Sequence, residues 1–342
     1  MNPPAATTAA EVFFDALAEG FEHASRLADT EPLTENIEAG GSRMRIEFAT
    51  TALRDFFMPA LGHLRTDTTE WDLVIRVWEG SAFSPRWPNE WQRVADGLGL
   101  YRDQRFIMHD MKATGLLDML DLARGEAVVW VPSLDAVARH EQASPFMQLF
   151  QAWFGKRGLM VAHTGAVGTH NGAALLVGRG GSGKSTTCAA ARLAGLGYLG
   201  DDHCLLGVEP PQVWSLYDTL KLTSHSRTLL SALDVLESRE VEPGKDIVFL
   251  RGLADGRALR HAPLRAVLLP RVAGNDGRPR LRPATAGEAM RALGPTSLFQ
   301  LAEPGAPAWS AMAALVRSLP CFHLELAGGT DGVDDLLREV LV

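Results

Sequence analysis

Gly178-Arg179-Gly180-Gly181-Ser182-Gly183-Lys184-Ser185 fits the pattern G-x-x-x-x-G-K-[ST], and Asp201-Asp202 follow seventeen residues after the lysine. Glycines of this spacing let backbone N–H groups close around phosphate oxygens, a lysine reaches the outer phosphates, and a serine or threonine hydroxyl can ligate Mg²⁺. In this composition the pattern should arise by chance in about one chain in two hundred. It predicts a nucleotide-phosphate site, with ATP and Mg²⁺ as ligands, built from Gly178 to Ser185 together with Thr186.

The flanks suit that reading. Ala173 to Val177 is a short apolar run of the kind a buried strand needs. Thr186 to Leu193 is alanine-rich and free of Gly and Pro, which favours a helix. Strand, glycine turn and helix start place the helix N-terminus against the phosphates. Between Lys184 and Asp201 there is room for one helix and one short strand, so two carboxylates arrive beside the loop on the very next strand. One carboxylate there can orient Mg²⁺ and another can take the proton of an attacking hydroxyl. A solvated Asp-Asp turn is the alternative.

His163, the loop Gly178 to Ser185, and Gly200-Asp201-Asp202 together resemble the catalytic core of the HPr kinase/phosphorylase family, whose nucleotide fold is shared with phosphoenolpyruvate carboxykinase. In that family a histidine precedes the loop by about fifteen residues, and His163 lies fifteen before Gly178. The resemblance implies a proton-accepting role for Asp201, a metal or structural role for Asp202 with Ser185 as the other metal ligand, and phosphate contact for His163 and Lys184. It covers roughly residues 158–260. Where the family carries a glutamate before Arg-Gly-Leu, this chain has Phe249-Leu250-Arg251-Gly252-Leu253, which argues against HPr itself as substrate and against a reverse phosphorylase activity. The chain looks more like the divergent relatives that phosphorylate a serine of a precursor peptide. Family members assemble into hexamers, so self-association belongs among the expectations.

Lys221 and Lys245 are two of only five lysines, and with Arg251 they are candidates for holding a transferring phosphoryl group or an acidic substrate. For each, a solvated surface cation is the simpler reading. His170, within Gly168 to Gly172, reads as a hairpin-tip residue.

The expected architecture is α/β: an N-terminal α+β region over 1–157, with a role in substrate recognition, and a phosphate-loop kinase domain over 158–342. The second part should be a mixed sheet with flanking helices, of the HPr kinase and carboxykinase type. In the first part, helical spacing runs from Glu11 to Leu27 through Val12, Phe13, Leu17, Phe21 and Leu27. Leu53 to Leu64 reads as another helix, and Arg43 to Phe48 and Leu73 to Trp78 as strands. Trp71, Trp78, Trp87 and Trp91 are either an aromatic platform or, the favoured reading, core and loop anchors. Gly274 to Arg282 reads as a turn or hairpin.

Composition sets outer limits. The chain has 342 residues, is 46% hydrophobic and 22% charged, and carries a net charge of −8. That balance argues against nucleic acid or an anionic membrane as partner. Cys188, Cys204 and Cys321 have no metal-ligand spacing and an odd count, which fits a reducing, cytoplasmic setting. No apolar run approaches a bilayer span. Two functions compete: an ATP-dependent kinase that phosphorylates a hydroxyl, usually serine, of a peptide, protein or small molecule, and a nucleotide-binding regulatory module with weak ATPase activity.

Overall fold

A computed structural model of the chain describes residues 7–28, 31–81, 83, 92–95, 98–253, 258–273, 278–298 and 306–341. The chain divides into two compact units, one formed by Met1–Met58 with Arg65–Trp153, the other by Pro59–Leu64 with Phe154–Val342. Both mix helices and strands.

The first unit is built on an eight-stranded sheet in which Leu33–Ala39, Ser42–Phe48, Leu73–Glu79, Glu126–Val131, Leu116–Asp121, Phe106–Met111, Leu98–Arg102 and Gln92–Ala95 lie side by side in that order. Helix Ala9–Leu27 packs on one face. It starts where the Thr8 hydroxyl accepts a hydrogen bond from the Glu11 N–H at 3.1 Å. Its buried stripe runs through Ala10, Phe13, Phe14, Leu17 and Phe21, whereas Val12 and Leu27, expected on that stripe, are 58% and 73% exposed. Leu116–Asp121 was invisible to period-2 reasoning because all six residues are buried, leaving no polar alternation to see. The helix expected over Leu53 to Leu64 stops at Phe57 and gives way to two 3₁₀ turns, Met58–Ala60 and Gly62–Leu64. Pro59 has no N–H to continue the ladder.

Of the four tryptophans considered for an aromatic platform, the two described ones are held as anchors within the first unit. Trp78 is buried edge-on against Phe83, with ring centres 5.3 Å apart, and packs near Trp130. Trp71 donates to the Asn36 side chain and lies under the Arg45 guanidinium. Trp87 and Trp91 lie outside the described residues.

The second unit centres on three parallel neighbours: Gly172–Leu176, His261–Val272 and Cys321–Leu326. On the free side of Gly172–Leu176, Gly165–Thr169 pairs antiparallel with it, and Gly197–Gly200 pairs antiparallel with that strand in turn. Gly197–Gly200 therefore points the same way as Gly172–Leu176, and both end at one edge. His170 lies at the tip of the hairpin joining 165–169 to 172–176. The twelve-residue strand from His261 also pairs through its first residues with Gln212–Ser215, which leads to Cys204–Gly207 and Met160–Ala162. Part of the stretch Gly274 to Arg282 is instead a strand: Arg280–Ala284 pairs with Cys321–Leu326, which separates it from His261–Val272. The turn residues 274–277 lie outside the described residues.

Helices Lys184–Leu193 and Val333–Val340 contribute Cys188, Ala191 and Leu337 to the core on one face of this sheet, with Leu268 and Leu324. Helices Ala286–Leu298 and Ala306–Ser318 cover the other face through Ala289, Leu293, Met312 and Leu315, with Val267 and Leu269. A separate three-stranded sheet orders Thr219–Thr223, Lys245–Phe249 and Ser238–Glu242. The three cysteines are buried and unbridged. Among the described residues no helix is long and apolar enough to cross a membrane.

The turn Gly62–Leu64 is tied to this unit by His63, whose Nε2 lies 2.8 Å from the Ser215 hydroxyl. Burial, with a smaller push from the Arg260 charge, lowers the His63 pKa to about 3. The unfolded chain binds this proton near pH 6.5 and the folded chain does not, so stability falls as pH drops from about 6.5 towards 3. Urea midpoints measured from pH 7 to 5 should fall more steeply for the native chain than for His63→Gln, by up to about 1.4 kcal/mol per pH unit. Parallel curves would refute this account of His63.

Candidate functional site

The phosphate-loop sequence folds as its residue types require. The strand Gly172–Leu176 runs into Val177, whose N–H bonds the Leu268 carbonyl at 2.9 Å, and the chain then turns through the glycines into helix Lys184–Leu193. Gly181 and Gly183 have φ of +79° and +104°. A Cβ at Gly183 would come within 2.5 Å of the Leu326 Cδ1 atom, so this glycine is demanded by both backbone and space. Gly183 is also the N-cap of the helix and offers no side-chain cap. The first N–H groups of the helix are thus left for an anion.

Lys184 is buried, and its ammonium folds back to donate to the Gly178 carbonyl at 2.7 Å. Burial lowers its pKa, while the charges of Asp201 and Asp202 pull it back up. The Ser182 hydroxyl, inside the loop, is buried without a hydrogen-bond partner among the described residues. Thr186, expected among the phosphate contacts, has its hydroxyl 2.9 Å from the Ser226 hydroxyl.

Asp201 and Asp202 follow directly on the strand Gly197–Gly200, and their environments differ sharply. Asp201 is 2% exposed. Burial and then the neighbouring Asp202 charge raise its pKa to about 6; the Ser185 hydroxyl, the Lys221 N–H and the Lys184 charge hold it from rising further. Its Oδ2 accepts from the Lys221 N–H at 3.2 Å, and its Oδ1 has no hydrogen-bond partner among the described residues.

Asp202 adopts φ +76°, outside the usual range for a residue with a side chain. Its Oδ1 meets His163 Nε2 at 2.9 Å, and its Oδ2 takes the Lys221 ammonium and lies 3.4 Å from His203 Nδ1. Burial alone would raise this pKa, but Lys221, His203 and His163 hold it well below the ordinary carboxylate range. The metal role expected for Asp202 therefore meets a carboxylate whose two oxygens are already engaged, one by His163 and the other by the Lys221 ammonium.

Three elements deliver this cage. His163 follows the strand Met160–Ala162, Lys221 lies in Thr219–Thr223, and His203 follows the aspartates directly. The Thr164 N–H donates to the Asp202 carbonyl at 3.1 Å, and its hydroxyl to the Leu176 carbonyl at 2.7 Å, which fixes the aspartate turn against the loop strand. The far nitrogen of His163, Nδ1, is buried with no hydrogen-bond partner among the described residues.

The structure thus brings His163, Lys184, Ser185, Asp201, Asp202 and Lys221 into one constellation. Lys245 and Arg251 make other contacts: Lys245 lies 3.8 Å from Glu242, and Arg251 pairs with Glu237 while its guanidinium carbon sits 5.7 Å from the Phe249 ring centre. Those contacts tie both to the three-stranded sheet. His203 escaped the sequence reading, although its place immediately after two aspartates was a usable signal.

The chain matches no protein-family model and no curated protein sequence. Among solved structures it is similar in shape to the HPr(Ser) kinase/phosphatase from Coxiella burnetii, with a TM-score of 0.30 and 10% identity, over 53% of this chain and 95% of that one. That likeness is one of distant shape, and the chemistry has to come from the residues of this chain.

Removing the Lys221 ammonium leaves the Asp202 carboxylate inside its pocket short of its strongest counter-charge. Lys221→Met should lower stability by about 3 kcal/mol, and adding Asp202→Asn should recover much of the loss. Chemical denaturation of the single and double variants checks this; a double variant no more stable than the single one would show that the pair is not coupled.

Proposed function

We propose that this chain is an ATP-dependent kinase that transfers the γ-phosphoryl group to a hydroxyl, foremost a serine of a peptide or protein. The observation that carries the reading is the pairing, on one sheet edge, of a lysine-bearing glycine loop with a buried carboxylate of raised pKa that keeps one oxygen unpartnered.

The residues fit a nucleotide with its metal. The unpartnered Ser182 hydroxyl, the start of helix Lys184–Leu193 with its glycine cap, and the Lys184 ammonium are donors that would meet phosphate oxygens. Mg²⁺ would be held by the Ser185 hydroxyl together with phosphate oxygens and water, and would supply positive charge to the phosphates. Asp202, caged by Lys221, His163 and His203, serves as a positioning residue rather than a metal ligand.

In the reaction the acceptor oxygen forms a bond to the γ-phosphorus and the bond from that phosphorus to the β–γ bridging oxygen breaks. ADP leaves with that electron pair, and the acceptor proton passes to Asp201 Oδ1. A carboxylate of raised pKa is a better base than an ordinary aspartate and is still ionised at neutral pH. Lys184, released from the Gly178 carbonyl, donates to the phosphate oxygens and stabilises the charge that builds there.

Asp201→Asn keeps the shape and cannot take the proton. It should bind ATP–Mg²⁺ with affinity near that of the native chain and lose about 10²–10⁴-fold in transfer rate. Lys184→Ala should instead weaken nucleotide binding by about 1.5–3 kcal/mol. Titration calorimetry gives the affinities, and mass-detected phosphorylation of serine peptides and small hydroxyl compounds gives the rates. Asp201→Asn with native transfer to a true acceptor would remove the base from the scheme. ATP binding with no transfer to any acceptor would favour a regulatory module.

A further inference from the structure

Three arginines gather around one buried carboxylate at the loop edge of the second unit. Arg271, Glu325 and Arg280 stand in one row across three neighbouring strands, since Glu325 is the register partner of both. Arg271 forms an ion pair with Glu325, and Arg282 Nε lies 3.2 Å from the Glu325 Oε1 atom. The Glu325 side chain is 8% exposed, while those of Arg271 and Arg282 are 54% and 57% exposed. In a chain of net charge −8 this is a concentrated positive patch with a fixed acceptor at its centre.

Its position is set by the sheet. Pro270, just before Arg271, has its Cβ 4.0 Å from where a Cβ of Gly183 would stand, and its carbonyl oxygen 4.0 Å from that of Gly178. Leu326, just after Glu325, is the residue that closes on Gly183. The patch therefore begins at the next residue out from the loop. Asp201 ends the strand on the opposite side, with Gly165–Thr169 and Gly172–Leu176 between it and His261–Val272. Three strand spacings amount to roughly 14 Å. A linear nucleotide gripped by the loop with its γ-phosphate at Asp201 leads its other end towards Arg271. Ligands of such sheets settle outside the carboxyl ends of the strands, which is where Arg271 and Glu325 lie. These side chains share the sheet face of Leu269, opposite the face that helix Lys184–Leu193 covers.

We infer that Arg271 and Glu325, with Arg280 and Arg282 around them, form the seat for the nucleoside part of a nucleoside triphosphate. The inference rests on the phosphate-loop reading above. A guanidinium is flat and stacks on a base, and the Glu325 carboxylate, besides anchoring Arg271, accepts hydrogen bonds from ribose hydroxyls or base N–H groups. One step further along the same face His323 faces Glu288 at 3.3 Å, which ends the row of arginines.

The test compares ATP–Mg²⁺ with inorganic tripolyphosphate–Mg²⁺, which carries the phosphates without the nucleoside. In the native chain ATP should bind at least tenfold more tightly than tripolyphosphate. Arg271→Ala should weaken ATP about tenfold and leave tripolyphosphate within twofold, which also shows that the loop is still folded; Glu325→Gln should act in the same direction. Arg271→Lys, which keeps the charge and loses the flat plane, should behave like Arg271→Ala. Unchanged ATP affinity in Arg271→Ala overturns the inference. Equal weakening of both ligands also overturns it, because the arginines then serve the phosphates. Tripolyphosphate binding as tight as ATP in the native chain overturns it and leaves the phosphate loop standing, whereas failure of both ligands to bind overturns the two readings together.

Discussion

Two adjacent carboxylates, both largely shut away from water, define what the rest of the second unit must do. Like charges this close cannot both stay ionised without help, and each is expensive to bury alone. The chain places them on a turn, with Asp202 at φ +76°, and treats them unequally. Asp202 receives Lys221, His163 and His203, and Asp201 receives two N–H or O–H donors and the more distant charge of Lys184. One is locked as an anion and the other is left reactive. The donors come from several elements, with Lys221 serving both aspartates, so the strands before His163 and around Lys221 must be in register before either aspartate is comfortable.

That requirement explains the crowding of small residues where the elements meet. A Cβ at Gly165 would come within 2.5 Å of the Cys188 sulfur, and one at Gly200 within 2.7 Å of the Cys204 sulfur. Helix Lys184–Leu193 approaches the sheet through Cys188, Ala189 and Ala191, all fully buried. Larger residues would lift the helix, and with it Lys184 and Ser185, off the edge where Asp201 ends its strand. Close packing here therefore sets the site's geometry as well as its stability.

The loop, its strand and helix, and the two aspartates were legible in the sequence because their signals are local. Glycine spacing, an apolar run and an alanine-rich stretch each report on neighbours along the chain. His163 was legible only through its offset from the loop, and Lys221 only as a scarce residue type. The Lys221–Asp202 pair depends on Thr219–Thr223 joining Lys245–Phe249 in a separate small sheet, a pairing no window of sequence contains. The same holds for Arg271, Glu325 and Arg280, which meet because Cys321–Leu326 inserts between two strands that precede it in the chain. The helix expected through Leu64 failed at Pro59 for a local reason that apolar spacing had outweighed.

The distribution of basic residues follows from the same physics. This chain uses arginine almost everywhere, with five lysines among 33 basic residues. Of those five, Lys184 is buried and Lys221 has a side chain only 17% exposed. Arginine is suited to the open surface and to planar contacts such as that of Arg271 with Glu325. Inside the site a guanidinium is too broad: Lys184 must turn between a loop carbonyl and a phosphate, and Lys221 must share Asp202 with two imidazoles. A compact ammonium on a flexible stem can do both. The two lysines kept inward thus mark where a point charge cannot be replaced, and they bracket the carboxylate pair, one on the side of Asp201 and the other on the side of Asp202.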